Sequence, residues 1–222
     1  MPPWPRPWAD TAAPMIVVPP GQLERAAIRL NQRAWRLARA VAIETPDRLD
    51  ALLGVRADVG TQVSRMTLAM TDALAAVPML MFQLRDLDAA RASLLNASAL
   101  SAQECIDARR MMADQTLDNP LMGEFYGYAR SYWFWAASLA GMDRTVASVY
   151  AQLPRDMAEK LMDLSPDQLE ALSASPGIRY VPRSQRIVSM MAAAITSEAS
   201  PQALQAYGIA FMTTRGVLEK AS

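Results

Sequence analysis

SYWFWAASLAGMDRTVASVYAQLPRDMAEKLMDLSPDQLEALSASPGIRYVPR, residues 131–183, is the stretch that decides the fold. From Tyr132 to Met142 it is apolar, with Trp133, Phe134 and Trp135 in succession. A run about half the ~20 residues needed to cross a bilayer, carrying that much aromatic surface, belongs to a core or interface helix. Asp143 stands as the N-cap of a second helix, whose apolar positions Val146, Val149, Tyr150 and Leu153 recur at helical spacing until Pro154 interrupts them. Met157, Leu161 and Leu164 form a third stripe. Ser165, Pro166 and Gln168 read as cap, first-turn proline and capping-box partner of a fourth helix. Leu169 and Leu172 supply its buried side, and Pro176-Gly177 ends it.

The same succession stands upstream. A slide of 98 positions pairs Trp35 with Trp133, Ala38 with Ala136, Ala42 with Ala140, Asp58 with Asp156, Leu74 with Leu172, Pro78 with Pro176 and Arg85 with Arg183. Such register over several elements reads as a tandem duplication. Leu23, Ala27, Leu30, Ala34, Leu37 and Val41 are spaced for one face of a helix, and Arg25, Arg29, Arg33, Arg36 and Arg39 fill other positions. Those five arginines invite a nucleic-acid reading, although a solvated face of a core helix explains them more simply. Thr45-Pro46-Asp47 opens a short helix that stops at Gly54. Val59, Val63 and Met66, then Leu68 to Ala76, mark two more, the last with a poorer cap around Thr67. Beyond Arg85 a single helix is expected from Leu87 to Leu95. Ser101 and Glu104 form a capping box for a linker helix through Met112, which Asp118-Asn119-Pro120 breaks. The only strand candidates are short, near 79–84 and 178–182.

Composition narrows the chemistry. The chain of 222 residues is 52% hydrophobic, with 22 basic and 22 acidic side chains, no histidine and one cysteine. This inventory excludes a Ser-His-Asp triad, a Cys-His dyad, a thiolate or imidazole zinc site and an intrachain disulfide. Zero net charge provides no global field for phosphates, so contact with DNA requires a partner or a local patch. Cys105 reads as a buried structural thiol, and a single thiol fits a reducing compartment. Residues 1–20 hold seven of the 15 prolines plus Trp4 and Trp8, which suits an extended leader or a partner-binding arm. With prolines where a signal peptide needs an apolar run, a cytoplasmic location is expected.

The pieces from Ser131-Tyr132 through the Asp143 cap, the Met157-Ala158-x-x-Leu161 step, the Gln168-x-x-x-Leu172 helix and the extended piece ending at Arg183 resemble the flagellar transcriptional activator FlhD family. The similarity continues through Leu204-Gln205 and Met212-Thr213-Thr214-Arg215 to about Leu218. The resemblance implies an all-α fold in which two tandem FlhD-like helical units pack as an intrachain pseudo-dimer, because that family acts as a homodimer. Its divisions are a proline-rich leader (1–22), a divergent first unit (23–97), a helical linker (98–125) and a second unit (126–222) with a helix-turn-helix-like C-terminal part. The family's cysteine near the Tyr180 position is missing, so a covalent link between subunits does not carry over.

Function follows from the same resemblance. It implies a non-enzymatic transcription regulator subunit without cofactor or metal, which joins an FlhC-type partner to activate promoters of flagellar or related genes. DNA is then bound only in the complex, no membrane is involved, and further homo-oligomerisation stays open. Trp133, Phe134 and Trp135 are the expected partner-binding residues, and Arg179, Arg183, Arg186 and Arg215 the expected DNA contacts. The alternative is a helical adaptor, anti-activator or chaperone-like protein that binds a regulator without touching DNA; fifteen methionines suit an adaptable apolar surface. Asp156, Glu159 and Asp163 are the acids an enzyme would draw on, but nothing in the sequence assembles them into a site.

Overall fold

The computed structural model describes residues 21–197 and 206–207; the leader and the rest of the C-terminal stretch, including Arg215, lie outside the described residues. The described residues are all-α apart from one two-stranded ribbon. Helix α1 (Gln22–Glu44) is followed by a single 3-10 turn at Pro46–Arg48, then by α2 (Leu49–Leu53), α3 (Ala57–Ser64) and α4 (Leu68–Leu74). Strand β1 (Phe82–Leu84) and helix α5 (Leu87–Ala99) complete the first half. Helix α6 (Ala102–Asp118) leads into α7 (Pro120–Met142), α8 (Arg144–Tyr150), α9 (Arg155–Met162), α10 (Pro166–Ser173), β2 (Tyr180–Pro182) and α11 (Gln185–Thr196).

Most ends are set by the chemistry read from the sequence. The Asp143 carboxylate accepts from the Thr145 and Val146 amides, and the Ser101/Glu104 and Ser165/Gln168 capping boxes are both closed. Some expectations need correction. Thr45 makes no side-chain cap: its ψ of 64° lies outside the extended region of the working caps and its Oγ1 is buried without a partner, whereas Thr67 does cap α4 through the Met70 amide. The linker helix runs on past Met112 to Asp118, and Asn119 caps α7 at the Leu121 amide, so 98–125 divides between α6 and the first turn of α7. Helix α5 continues to Ala99 rather than ending at Leu95.

Element boundaries recur at the offset seen in the sequence: α1 maps on α7, α3 on α9 and β1 on β2, each at both ends. The ribbon is antiparallel, pairing Phe82 with Pro182, Gln83 with Val181 and Leu84 with Tyr180. The middle partners, Gln83 and Val181, therefore occupy equivalent positions in the two halves. The flanking amides follow suit: Arg85 N–H donates to Arg179 C=O at 2.8 Å, and its counterpart Arg183 N–H donates to Met81 C=O at 2.9 Å.

Packing interlocks the halves. Helices α1 and α7 lie against each other, and the Arg33 guanidinium donates across them to Ser131 Oγ at 2.6 Å, two residues 98 apart. Helix α5 leaves its own half to pack on α9 and α10, while α11 packs on α3 and α4. One core results, whose largest buried side chains include Trp35, Trp133, Tyr128, Tyr132, Tyr180 and Phe82. The Tyr180 ring meets Tyr128 at 5.0 Å, Tyr132 at 5.3 Å and Phe125 at 6.0 Å, edge to face, each contact adding roughly 0.5–1.5 kcal/mol beyond area burial.

Two turns show how the backbone tolerates sequence difference. Gly54 ends α2 at φ 56°, and a side chain there would overlap Val181 of the ribbon. Its counterpart is Gln152, held at φ 58° with a buried, unpartnered amide nitrogen. A left-handed conformation costs a side-chain-bearing residue roughly 1–2 kcal/mol. Gln152→Gly is therefore expected to raise stability by about 1 kcal/mol. Gly54→Ala is expected to lower it by about 2 kcal/mol, from strain and overpacking together. Urea unfolding of the two variants checks the opposite signs.

Candidate functional site

The aromatic triplet at the start of the opening stretch does not act as one surface. Trp133 is fully buried and packs edge to face on Tyr132 at 5.1 Å. It is therefore a core residue, and its expected role as a partner contact is corrected: successive helical residues point about 100° apart, so three in a row cannot share a face. Phe134 and Trp135 are half-buried, and the Arg130 guanidinium carbon stands 5.2 Å over the Phe134 ring. This cation–π contact leaves part of the ring open beside a positive charge.

The cations near the ribbon are set by its register. Arg179 is half-buried and donates to the Ile178 carbonyl at 2.9 Å and to the Pro176 carbonyl, so it braces the turn after α10. Arg183, also half-buried, reaches the Leu80 carbonyl at 3.4 Å, across the ribbon. Arg186, on the first turn of α11, is exposed. Arg215 lies outside the described residues. Sequence reasoning missed Arg85, which is exposed and joined to Arg179 through the backbone. The pairing of Arg85 with Arg183 at the 98 offset was the available signal, since an antiparallel ribbon brings equivalent flanks into one structure. Arg85 and Arg179 line an open hollow of about 650 Å³ with Ala51, Asp86, Leu87 and Gly177. Asp86 is engaged there as the N-cap of α5, accepting from the Asp88 and Ala89 amides at 2.9 Å each.

Elsewhere the charges are mostly matched. Of the α1 arginines, Arg36 forms a two-pronged pair with Asp72 at 2.9 and 2.6 Å, and Arg39 donates to the Met66 carbonyl at 2.6 Å. Asp156 accepts from Arg91 at 2.8 Å, an interaction that holds its carboxyl below the usual range. Glu159 takes Arg144 at 2.8 Å and Arg155 at 3.4 Å. These acids belong to exposed ion pairs, which contribute little to stability. Among the described residues no group of three or more His, Cys, Asp or Glu side chains is placed to hold a metal ion, and no helix is long and apolar enough to cross a membrane. Cys105 is buried and free, and burial pushes its thiol up, which leaves it a poor nucleophile at neutral pH.

Comparison with protein-family models, with curated proteins and with solved structures finds no match for the chain.

The buried phenols make the core sensitive to alkali. Burial raises Tyr128, and it raises Tyr132 and Tyr180 well above the ordinary value of 10.0, with neighbouring tyrosines adding to the effect. A phenol raised on folding leaves stability intact below its unfolded value and removes it as pH climbs toward the folded one. Three such groups imply a loss of about 4 kcal/mol per pH unit above pH ~10. Tyrosinate absorbance should show these three of the six tyrosines ionising only together with loss of helical circular dichroism.

Proposed function

We propose that the chain is a regulator subunit built as an internal pseudo-dimer of two FlhD-like units, which joins an FlhC-type partner and touches promoter DNA only within that complex. The observation that carries the reading is the ribbon. Equivalent residues Gln83 and Val181 face each other, and α5 and α11 are exchanged between halves, as a symmetrical dimer would arrange them. The resemblance in residues 126–218 supplies the link from this architecture to transcription. On this reading the chain is no enzyme and works in the cytoplasm. Arg85, Arg183 and Arg186 are the side chains offered to phosphates, while Arg179 mainly holds the turn. Phe134 and Trp135, with Arg130, are offered to the protein partner.

A second reading, an adaptor that binds a regulator without DNA, is favoured by the charge pattern. Arg36, Arg91, Arg109, Arg130, Arg144 and Arg155 are all matched to carboxylates, which leaves a small positive patch.

The two readings separate in a salt titration. The chain is co-purified with an FlhC-type protein, and promoter binding is followed by fluorescence anisotropy as salt rises. For the regulator, affinity falls steeply, and Arg85→Ala and Arg186→Ala each reduce the logarithmic salt slope by about 1. Partner binding that ignores salt, with no promoter shift at low salt, establishes the adaptor.

A further inference from the structure

Helix α6 has no counterpart in the repeated order of described elements, and it is peculiar in exposure: of its 17 residues only Cys105 is buried. Its inner side is accounted for. Arg109 bridges Asp167 and Glu170 of α10, Gln115 accepts from the Tyr126 hydroxyl of α7 at 2.5 Å, and Met112 and Thr116 are half-buried. A separate stripe faces water. Ile106, Ala113 and Leu117 fall on one line of the helix surface, at spacings of seven and four residues. Ile106 is 40% and Leu117 82% exposed, the latter the most exposed large apolar side chain among the described residues. Beside the stripe run Arg110 and Asp114, both exposed and without an ion-pair partner among the described residues.

We propose that this stripe is a self-association surface on which α6 pairs antiparallel with α6 of a second copy of the chain. Charge decides both occupant and direction. In an antiparallel pair related by a two-fold axis, the same flank of each helix meets itself with its order reversed. When Ile106 stands opposite Leu117 of the second copy, Arg110 stands opposite its Ala113, next to its Asp114. Two symmetrical Arg110–Asp114 pairs then border an apolar seam of Ile106, Ala113 and Leu117. A parallel pair would turn this flank toward the other flank of the second helix, where Ala102, Arg109 and Ala113 offer Arg110 no carboxylate. The seam is short, since the helix spans about 25 Å, so the association belongs to the small, reversible class. The inference stands apart from the DNA reading, because α6 carries none of the proposed phosphate contacts.

Sedimentation equilibrium of the full chain tests it. The weight-average mass is expected to rise from 24.3 kDa toward twice that value as concentration approaches the order of 1 mM, where interfaces of this class associate. Leu117→Glu holds the chain at the monomer mass, and Arg110→Asp or Asp114→Arg alone weakens association at least tenfold. The double swap Arg110→Asp with Asp114→Arg restores it, because the cross-pairs re-form with reversed sign. All three positions are exposed, and unchanged circular dichroism and thermal melts confirm that each variant folds. A monomer at every concentration, or a double swap as weak as the single variants, overturns the proposal.

Discussion

The antiparallel pairing of Gln83 with Val181 is the constraint on which the rest of the structure depends. Three pairs of residues are too few to be stable as an isolated ribbon in water. What holds it is burial on the side where Phe82, Leu84 and Tyr180 enter the core. Phe82 packs against Trp35 at 4.9 Å and Tyr180 against Tyr128 at 5.0 Å, so each strand is anchored to a long central helix, one to α1 and the other to α7. The ribbon in turn fixes where α5 and α11 begin, and those helices cross to the opposite half. The short helices alone would have marginal cores; exchange of α5 and α11 makes one core of two small ones.

Within that frame the halves solve the same local problem with different chemistry. The segment entering β1 has no regular structure, and its backbone is held by buried Asn31. The Asn31 amide donates to the Val77 and Met79 carbonyls at 3.0 and 2.7 Å and accepts from the Met81 amide at 2.8 Å. The corresponding residue of α7 is Ala129, which can do none of this. There the segment entering β2 is braced instead by Arg179 on its own carbonyls and by Ser175 bonded to Ser93 of α5 at 2.7 Å. A buried backbone needs its hydrogen bonds, but which side chain supplies them is free to drift.

That freedom marks the limit of what the sequence discloses. Helix positions and most ends were legible because they rest on local signals: periodic leucines and alanines, the Asp143 cap and the Ser165 and Gln168 box. The strands were placed within a few residues because Pro78 and Pro176 fall in register. Asn31 was not legible, since a polar residue on an apolar helix face gives no clue to the carbonyls it will meet some 50 residues away. Nor was the burial of Trp133 separable from the exposure of Phe134 and Trp135, because the whole run is apolar and all sides of α7 meet some neighbour. The positive patch was half legible. Arg179, Arg183 and Arg186 are close in sequence, whereas Arg85 joins them only through strand pairing.

The two halves share an order of elements but do not present the same surface. Helix α6 covers α7 and α10, and the ion pairs on the two equivalent acids differ: Asp72 takes Arg36 alone, while Glu170 is shared by Arg109 and Arg130. Arg130 is drawn toward Glu170 and Phe134 together, a placement its counterpart Gln32 cannot copy. The half-exposed aromatics thus acquire a fixed positive neighbour on one half only. The combination therefore stands on one half and not at the equivalent place on the other. Each half is held together by packing that the other supplies, α5 on α9 and α10 and α11 on α3 and α4.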